Sequence, residues 1–330
     1  MKIRIALILC LFLGTGCSSR GFYMTEGDAG PSQVIAKDNE FVVLRVGNDD
    51  ARTLAKHFFG DEARYWVIED ANDSHPVEPG NVIIIPLRDS NPTGFGYEGY
   101  QTVPILCYHR FGNRGDRLEV SSEQFREQLN YLKENDYRVI PLADLLGFLK
   151  GERALPKRSV VLTIDDGHRS IYREAFPILK EFGYPATVFI YTDYMNNGGL
   201  KTDEIAAMTE SGLISIQPHS KSHGNLAVRR HGEDHKQYQR RIRREVTFPT
   251  KKLAGQLGQK PRFYAYPFGD ANDQVIQELQ ANGLLLGLTV QPHANAAFSY
   301  PYLLHRTMIF GDRDMDVFKS SLVTYKSRKK

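Results

Sequence analysis

The sequence predicts an α/β chain: an irregular parallel (β/α)-barrel preceded by a small βααβ unit. Three observations carry this expectation. Short, largely apolar runs such as Val160-Val161-Leu162-Thr163-Ile164 and Pro185-Ala186-Thr187-Val188-Phe189-Ile190 alternate with helical stripes up to the C-terminus. A run without period-two alternation is a strand buried on both faces, the habit of parallel sheets. The texture changes near Asp89–Gly99, where Pro92 and interleaved glycines and aromatics separate two folded stretches. Finally, 330 residues with 41% hydrophobic content supply core for one large domain and a small one.

Taken in order, Met1-Lys2-Ile3-Arg4 is a short positive segment and Ile5 to Leu13 an apolar core too short to span a bilayer. Gly14-Thr15-Gly16-Cys17 reads as a small-residue cleavage site, which makes residues 1–17 a signal peptide. Residues 18–40 are polar and rich in Gly, Ser, Asp and Pro, and read as a flexible tether. The small unit, 41–88, is predicted from strand Phe41–Val46, helix Ala51–Phe59 with Leu54, Ala55 and Phe58 on one face, helix Tyr65–Ala71, and strand Asn81–Pro86. Residues 89–101 read as a linker and 102–315 as the barrel. There Ser121 and Gln124 predict a capping box, and Phe125, Leu129 and Leu132 a helical stripe. Residues 316–330 read as a terminal helix and basic tail. Cys10 leaves with the signal, and Cys17 and Cys107 offer no disulfide framework.

Two motifs carry chemistry. Asp165-Asp166-Gly167 follows the strand ending at Ile164, where βα loops of parallel barrels collect reactive groups. One carboxylate there can bind a metal while its neighbour takes a proton from water. His219 and His223 follow the short strand Ile214-Ser215-Ile216 at i and i+4, a spacing that sets both imidazoles on one side of a helical turn. Taken singly, the aspartates read as a helix cap with a solvated neighbour and the histidines as a surface pair. Together, each at a predicted strand end, they point to a hydrolase that activates water.

These segments resemble the signature motifs of the polysaccharide deacetylases, the NodB-like carbohydrate esterases, with Tyr264-Ala265-Tyr266-Pro267-Phe268-Gly269-Asp270 similar to the third motif. The resemblance covers about residues 102–312. It implies that Asp165 is the general base and that Asp166, His219 and His223 hold a divalent metal, zinc first, with cobalt, nickel or iron compatible. It also implies that Tyr266, Pro267 and Phe268 line the substrate, a backbone N–H near Phe268 helping to hold the oxyanion. Where many members carry an arginine that orients the base, this chain has Ala265. An early strand ending in Tyr108-His109 resembles the circularly permuted branch, the biofilm poly-N-acetylglucosamine deacetylases, and makes His109 the expected general acid. His305 is the reserve and His293 the third choice. The implied reaction removes N-acetyl groups from an N-acetylglucosamine polymer, releasing acetate.

Other resemblances set the context. The βααβ unit resembles a LysM glycan-binding module through Gly47, Phe58-Phe59-Gly60-Asp61, Trp66, Asn72 and Pro79-Gly80, although Gly47-Asn48-Asp49-Asp50 departs from the usual opening. In the bland reading the unit is a packing domain and Trp66 belongs to its core. The leader resembles a bacterial lipoprotein signal with Cys17 as the lipidated residue, Gly14 standing where leucine is usual. It implies a chain anchored by lipid in the cell envelope, at the outer membrane and facing the periplasm, or secreted if the leader is an ordinary signal peptide. The expected partners are thus an N-acetylated polysaccharide and a membrane. The net charge of +3 makes no case for nucleic acid, and Arg240-Arg241-Ile242-Arg243-Arg244 reads as a solvated helix face. Two rivals share these residues. A catalytically silent glycan-binding lipoprotein has Ala265 in its favour, and a non-haem iron oxygenase leaves Asp165 without a role.

Overall fold

The computed structural model describes residues 30–73, 75–88, 91–113 and 115–328. The leader, Cys17 and the first part of the tether lie outside the described residues. The chain divides into two compact units between residues 90 and 91.

In the first unit β1 (Gln33–Lys37), β2 (Phe41–Arg45) and β3 (Val82–Pro86) form an antiparallel sheet in that order. Helices α1 (Ala51–Phe59) and α2 (Tyr65–Ala71) connect β2 to β3. Alternation turns Val42, Leu44, Ile83 and Ile85 inward, where they pack with Leu54, Ala55 and Ile68. The Asp50 side chain caps α1 by accepting from the Thr53 N–H, and Gly60 ends it in the left-handed conformation (φ 72°). The Asn72 amide donates to the Ile68 and Ile84 carbonyls and accepts from the Ile84 N–H, which fastens α2 to β3. Trp66 is half-buried and stands outside this core.

The tether is shorter than the composition predicts, because Gln33–Lys37 pairs with β2. Every residue of β1 is exposed, so no apolar alternation marks it. A turn closed by Asp38, whose carboxylate accepts from the N–H groups of Glu40 and Phe41, brings the two strands together.

The second unit is built on parallel strands: β4 (Ile105–Tyr108), β5 (Ser159–Ile164), β6 (Ala186–Ile190), β7 (Ile214–Pro218), β8 (Phe263–Ala265), β9 (Leu286–Leu288) and β10 (Thr307–Met308). They run β10-β4-β5-β6-β7 in one sheet and β8-β9 in another. Two seams join the sheets. The Gln217 side chain accepts from the N–H groups of Arg262 and Phe263 where β7 and β8 share no ladder. Beyond β9, Leu288 bridges Leu304, the run leading into β10. The result is an irregular, incompletely laddered barrel, as the sequence predicts.

The helices are α3 (Ser122–Glu134), α4 (Leu145–Leu149), α5 (Phe176–Phe182), α6 (Thr202–Glu210), α7 (His235–Leu257), α8 (Asp273–Ala281) and α9 (Met315–Ser320). Phe125, Leu129 and Leu132 of α3 are fully buried against the outward faces of the strands, as their spacing predicts. Only half of the capping box forms. Ser121 accepts from the Gln124 N–H, but the Gln124 amide donates to the Arg313 carbonyl instead of turning back. On α7, Arg240, Arg243 and Arg244 are exposed, in keeping with a solvated face.

The predicted linker and tail are also more ordered than their composition predicts. Phe95–Gly96 and Gly99–Gln101 form a hairpin to which Tyr325–Ser327 adds a third strand. The pairing joins segments remote in sequence through backbone alone, so neither stretch advertises it.

Candidate active site

The motif residues collect at the C-terminal ends of β4, β5, β7 and β8, on one face of the barrel. Ile164 of β5 pairs in register with Tyr108 of β4, which sets Asp165 beside His109. The Asp165 N–H donates to the Tyr108 carbonyl at 2.9 Å, extending that ladder by one step. Asp166 then takes a left-handed conformation (φ 71°) and Gly167 another (φ 73°). The double reversal gives two adjacent carboxylates different partners, Arg306 for Asp165 and the two histidines for Asp166. A Cβ on Gly167 would stand 2.6 Å from Ile190 Cγ2, so glycine is required there for space as well as for φ.

His219 and His223 converge by a different route from the helical turn expected of their spacing. The segment beyond β7 is a loop, with Ser220 (φ 81°) and His223 (φ 60°) left-handed. Its shape comes from hydrogen bonds. The His223 N–H donates to Ser220 Oγ. The Lys221 and Ser222 N–H groups and the Ser222 hydroxyl all donate to the buried Glu245 carboxylate on α7. His219 Nδ1 lies 2.8 Å from the Ala265 carbonyl, which can only accept, so the proton sits on Nδ1 and Nε2 presents its lone pair.

Nε2 of His223 lies 3.1 Å and Nε2 of His219 3.6 Å from Asp166 Oδ1. That oxygen is buried and accepts no well-formed hydrogen bond. One ligand atom each from Asp166, His219 and His223 falls within 4.8 Å of the others. A buried carboxylate oxygen without a donor, facing two imidazole nitrogens, is the arrangement a divalent cation completes, and the donor set fits one. Burial alone would lower the pKa of His223, but its contact with Asp166 outweighs this and raises it. Burial would raise the pKa of Asp166, but His223, His219 and His109 together outweigh it and hold the carboxyl below its usual value.

Asp165 is almost wholly buried and gripped by a residue the motifs do not include. Arg306, fully buried, donates from Nη1 to Oδ1 at 2.7 Å and from Nη2 to Oδ2 at 2.6 Å. Its Nε donates to the Thr289 carbonyl, which fixes the plane of the guanidinium. Burial opposes ionisation of Asp165, yet the Arg306 charge prevails and holds the carboxyl well below the usual range. Where Ala265 offers no cation, an arginine thus reaches Asp165 from the segment entering β10. The buried Cys107 thiol donates to the same carboxylate at 3.5 Å.

His109 is buried at the cluster, and its Nδ1 has no hydrogen-bond partner. Burial lowers its pKa against the pull of Asp165 and Asp166. The structure does not bring His305 to this cluster. Its ring stacks edge-on against His293 at 5.3 Å, and burial, then His293 and Lys326, lower its pKa. The third choice, His293, lies with it. His305 precedes Arg306 on an extended segment, where neighbouring side chains point opposite ways, so it faces away from the site that Arg306 enters.

Of the predicted substrate-lining residues, Phe268 is 60% exposed, left-handed (φ 63°) and edge-on to His223 at 5.0 Å. Tyr266 is buried, and its hydroxyl donates to the Tyr302 carbonyl, so its side chain braces the loop from within. Pro267 is likewise buried.

Sequence reasoning missed Arg306 and Glu245. Both left a trace. Arg306 is a lone cation just before a strand, and Glu245 an acid on the helical spacing of the buried Tyr238, Ile242 and Val246. A charge at a core position calls for a partner.

A parallel barrel carrying a carboxylate pair, two imidazoles and a buried acceptor at its C-terminal face defines a hydrolase with a candidate divalent-metal centre. Residues 152–287 match the polysaccharide deacetylase family model. A poly-beta-1,6-N-acetyl-D-glucosamine N-deacetylase of Staphylococcus aureus is 29% identical over 199 residues, covering 58% of this chain and 68% of that protein. The structure of IcaB from Ammonifex degensii superposes with a TM-score of 0.61 at 26% identity, covering 68% of this chain and 99% of that one. The deacetylase PplD of Streptococcus pyogenes, solved with acetate, shares the fold at TM-score 0.61 and 24% identity, covering 67% and 98%. The second unit therefore carries a polysaccharide deacetylase domain of the NodB type.

Proposed function

We propose that this protein removes N-acetyl groups from an N-acetylglucosamine polymer of the cell envelope, releasing acetate and leaving glucosamine units. The observation that carries this is the pairing of a buried, arginine-held carboxylate with an adjacent Asp-His-His set on one barrel face. The relative from Staphylococcus aureus, named for poly-beta-1,6-N-acetyl-D-glucosamine, supports that polymer class.

Asp166, His219 and His223 would hold the ion, for which zinc suits two imidazoles and a carboxylate. A divalent cation there supplies Lewis-acid polarisation of the acyl oxygen and eases ionisation of a water. The chain's own residues do the rest. Asp165, held as a carboxylate by the Arg306 charge, takes the proton of the attacking water on a lone pair that Arg306 leaves free. Arg306 keeps that carboxylate from rotating or pairing elsewhere. His109, across the register from Asp165, delivers a proton to the departing amine as the C–N bond breaks. Phe268 walls one side of the reacting unit. Glu245 holds the loop that aims both histidines.

The first unit is proposed to bind the same glycan in the manner of a LysM module, and Cys17 to carry the lipid that keeps the protein in the envelope. The silent-lipoprotein reading loses its one support, because Arg306 does what Ala265 does not. The test uses the chain from Gly21 onward with acetylated glucosamine oligomers and stoichiometric zinc. Free amine should accumulate, and oligomer binding with no amine release under any divalent metal rules the enzyme out.

A further inference from the structure

Part of the row of rings beside the candidate metal site has no role in the chemistry above. From Phe268 and His223 the row passes to Tyr191, whose ring is 5.1 Å from that of His223. It continues to Tyr194, stacked 5.1 Å from Tyr191 and within 8° of parallel. The His168 ring stands 6.4 Å beyond. Tyr191 directly follows β6, one strand over from Asp165, so the two tyrosines extend the barrel face on the side of His223 away from Phe268.

This shelf is held firmly. The Thr192 and Asp193 N–H groups donate to the Ser220 and Lys221 carbonyls, and Lys221 Nζ grips both oxygens of Asp193. A Cβ on Gly199 would stand 2.7 Å from Tyr194 Cδ1 and one on Gly198 2.8 Å from Cε2, so two glycines let backbone close against that ring. Yet both tyrosines stay partly exposed, and neither hydroxyl has a hydrogen-bond partner among the described residues. Rigid aromatic rings tipped with unspent hydroxyls suit a pyranose, which offers an apolar C–H face and a rim of hydroxyls.

We propose that Tyr191 and Tyr194 form a binding subsite for the sugar unit adjoining the one that loses its acetyl group. The active site then grips a chain, not a single N-acetylated sugar. This rests on the deacetylase reading and specifies which part of the polymer the barrel holds.

The test uses the full zinc-loaded chain with an N-acetylglucosamine tetramer, the monomer, and a small aryl acetate. Calorimetry gives binding, and amine or acetate release gives turnover. The tetramer should bind more tightly than the monomer. Tyr194→Ala should weaken tetramer binding about ten-fold, the loss falling on KM more than kcat. That loss should exceed any loss on the aryl acetate by a similar factor. Tyr194→Phe and Tyr191→Phe, which keep the rings, should retain most of the binding. Equal tetramer affinity in Tyr194→Ala and wild type overturns the subsite, as does wild type binding the tetramer no better than the monomer, or an equal loss on ester and tetramer. If ring-dependent tetramer binding is seen without amine release, the deacetylase reading fails and the subsite stands.

Discussion

Arg306 and Asp165 are an ion pair shut away from water, and removing one partner strands the other. Arg306→Met keeps the volume and leaves a buried carboxylate, which should cost about 3–5 kcal/mol of stability at neutral pH. The pH dependence separates this from lost packing. The folded pKa of Asp165 lies below its unfolded value, so its contribution is complete above about pH 4 and fades as the pH falls through the folded value. In Arg306→Met burial pushes that pKa up, the sign reverses, and the deficit against wild type should shrink on acidification. Thermal melts between neutral and mildly acidic pH read this directly. The two acid candidates are separated at the same scale. His109→Ala should lower kcat by about 10²–10⁴, whereas His305→Ala, whose ring meets His293, should leave turnover near wild type. The reverse order in a single assay overturns the assignment.

At the scale of elements, each reactive residue is aimed by its neighbours more than by its own loop. Glu245 sits on α7, yet its carboxylate shapes the loop carrying His219 and His223. Glu245→Ala should weaken zinc affinity about 10–100-fold, with the helix and the bulk of the fold intact by circular dichroism. Unchanged affinity in a metal competition titration would exclude this role. The strands and their order of chemistry were legible in the sequence, because apolar runs and the polar residues ending them are local signals. Asp165, Asp166, His219 and His223 could be named for that reason. Glu245 and Arg306 were not, since each acts on a segment far along the chain and only the fold supplies the pairing. The helical turn expected for the histidines failed on similar grounds: i and i+4 spacing fits a loop with two left-handed residues as well as a helix.

For the whole molecule, the candidate metal site couples chemistry to stability. An ion that binds only the folded chain adds about 2.7 kcal/mol at a hundred-fold excess over its Kd, so zinc should raise the thermal midpoint and a chelator abolish both that rise and turnover. Asp166→Asn should show neither effect. Asparagine tolerates the left-handed backbone at this position, so the change tests the ligand without straining the turn. A zinc-dependent rise that survives in Asp166→Asn would place the ion elsewhere. The architecture was largely legible at this scale, as a small unit followed by a barrel. The strands Gln33–Lys37 and Tyr325–Ser327 escaped notice because exposed edge pairing leaves no apolar pattern.

The contact between His219 and the carbonyl of Ala265 is made by main chain, so no side-chain replacement at residue 265 deletes it directly. Drift in the sequence can therefore change the residue there while the imidazole stays aimed. Motif searches that score the side chain at 265 are blind to the part of that residue that does the work.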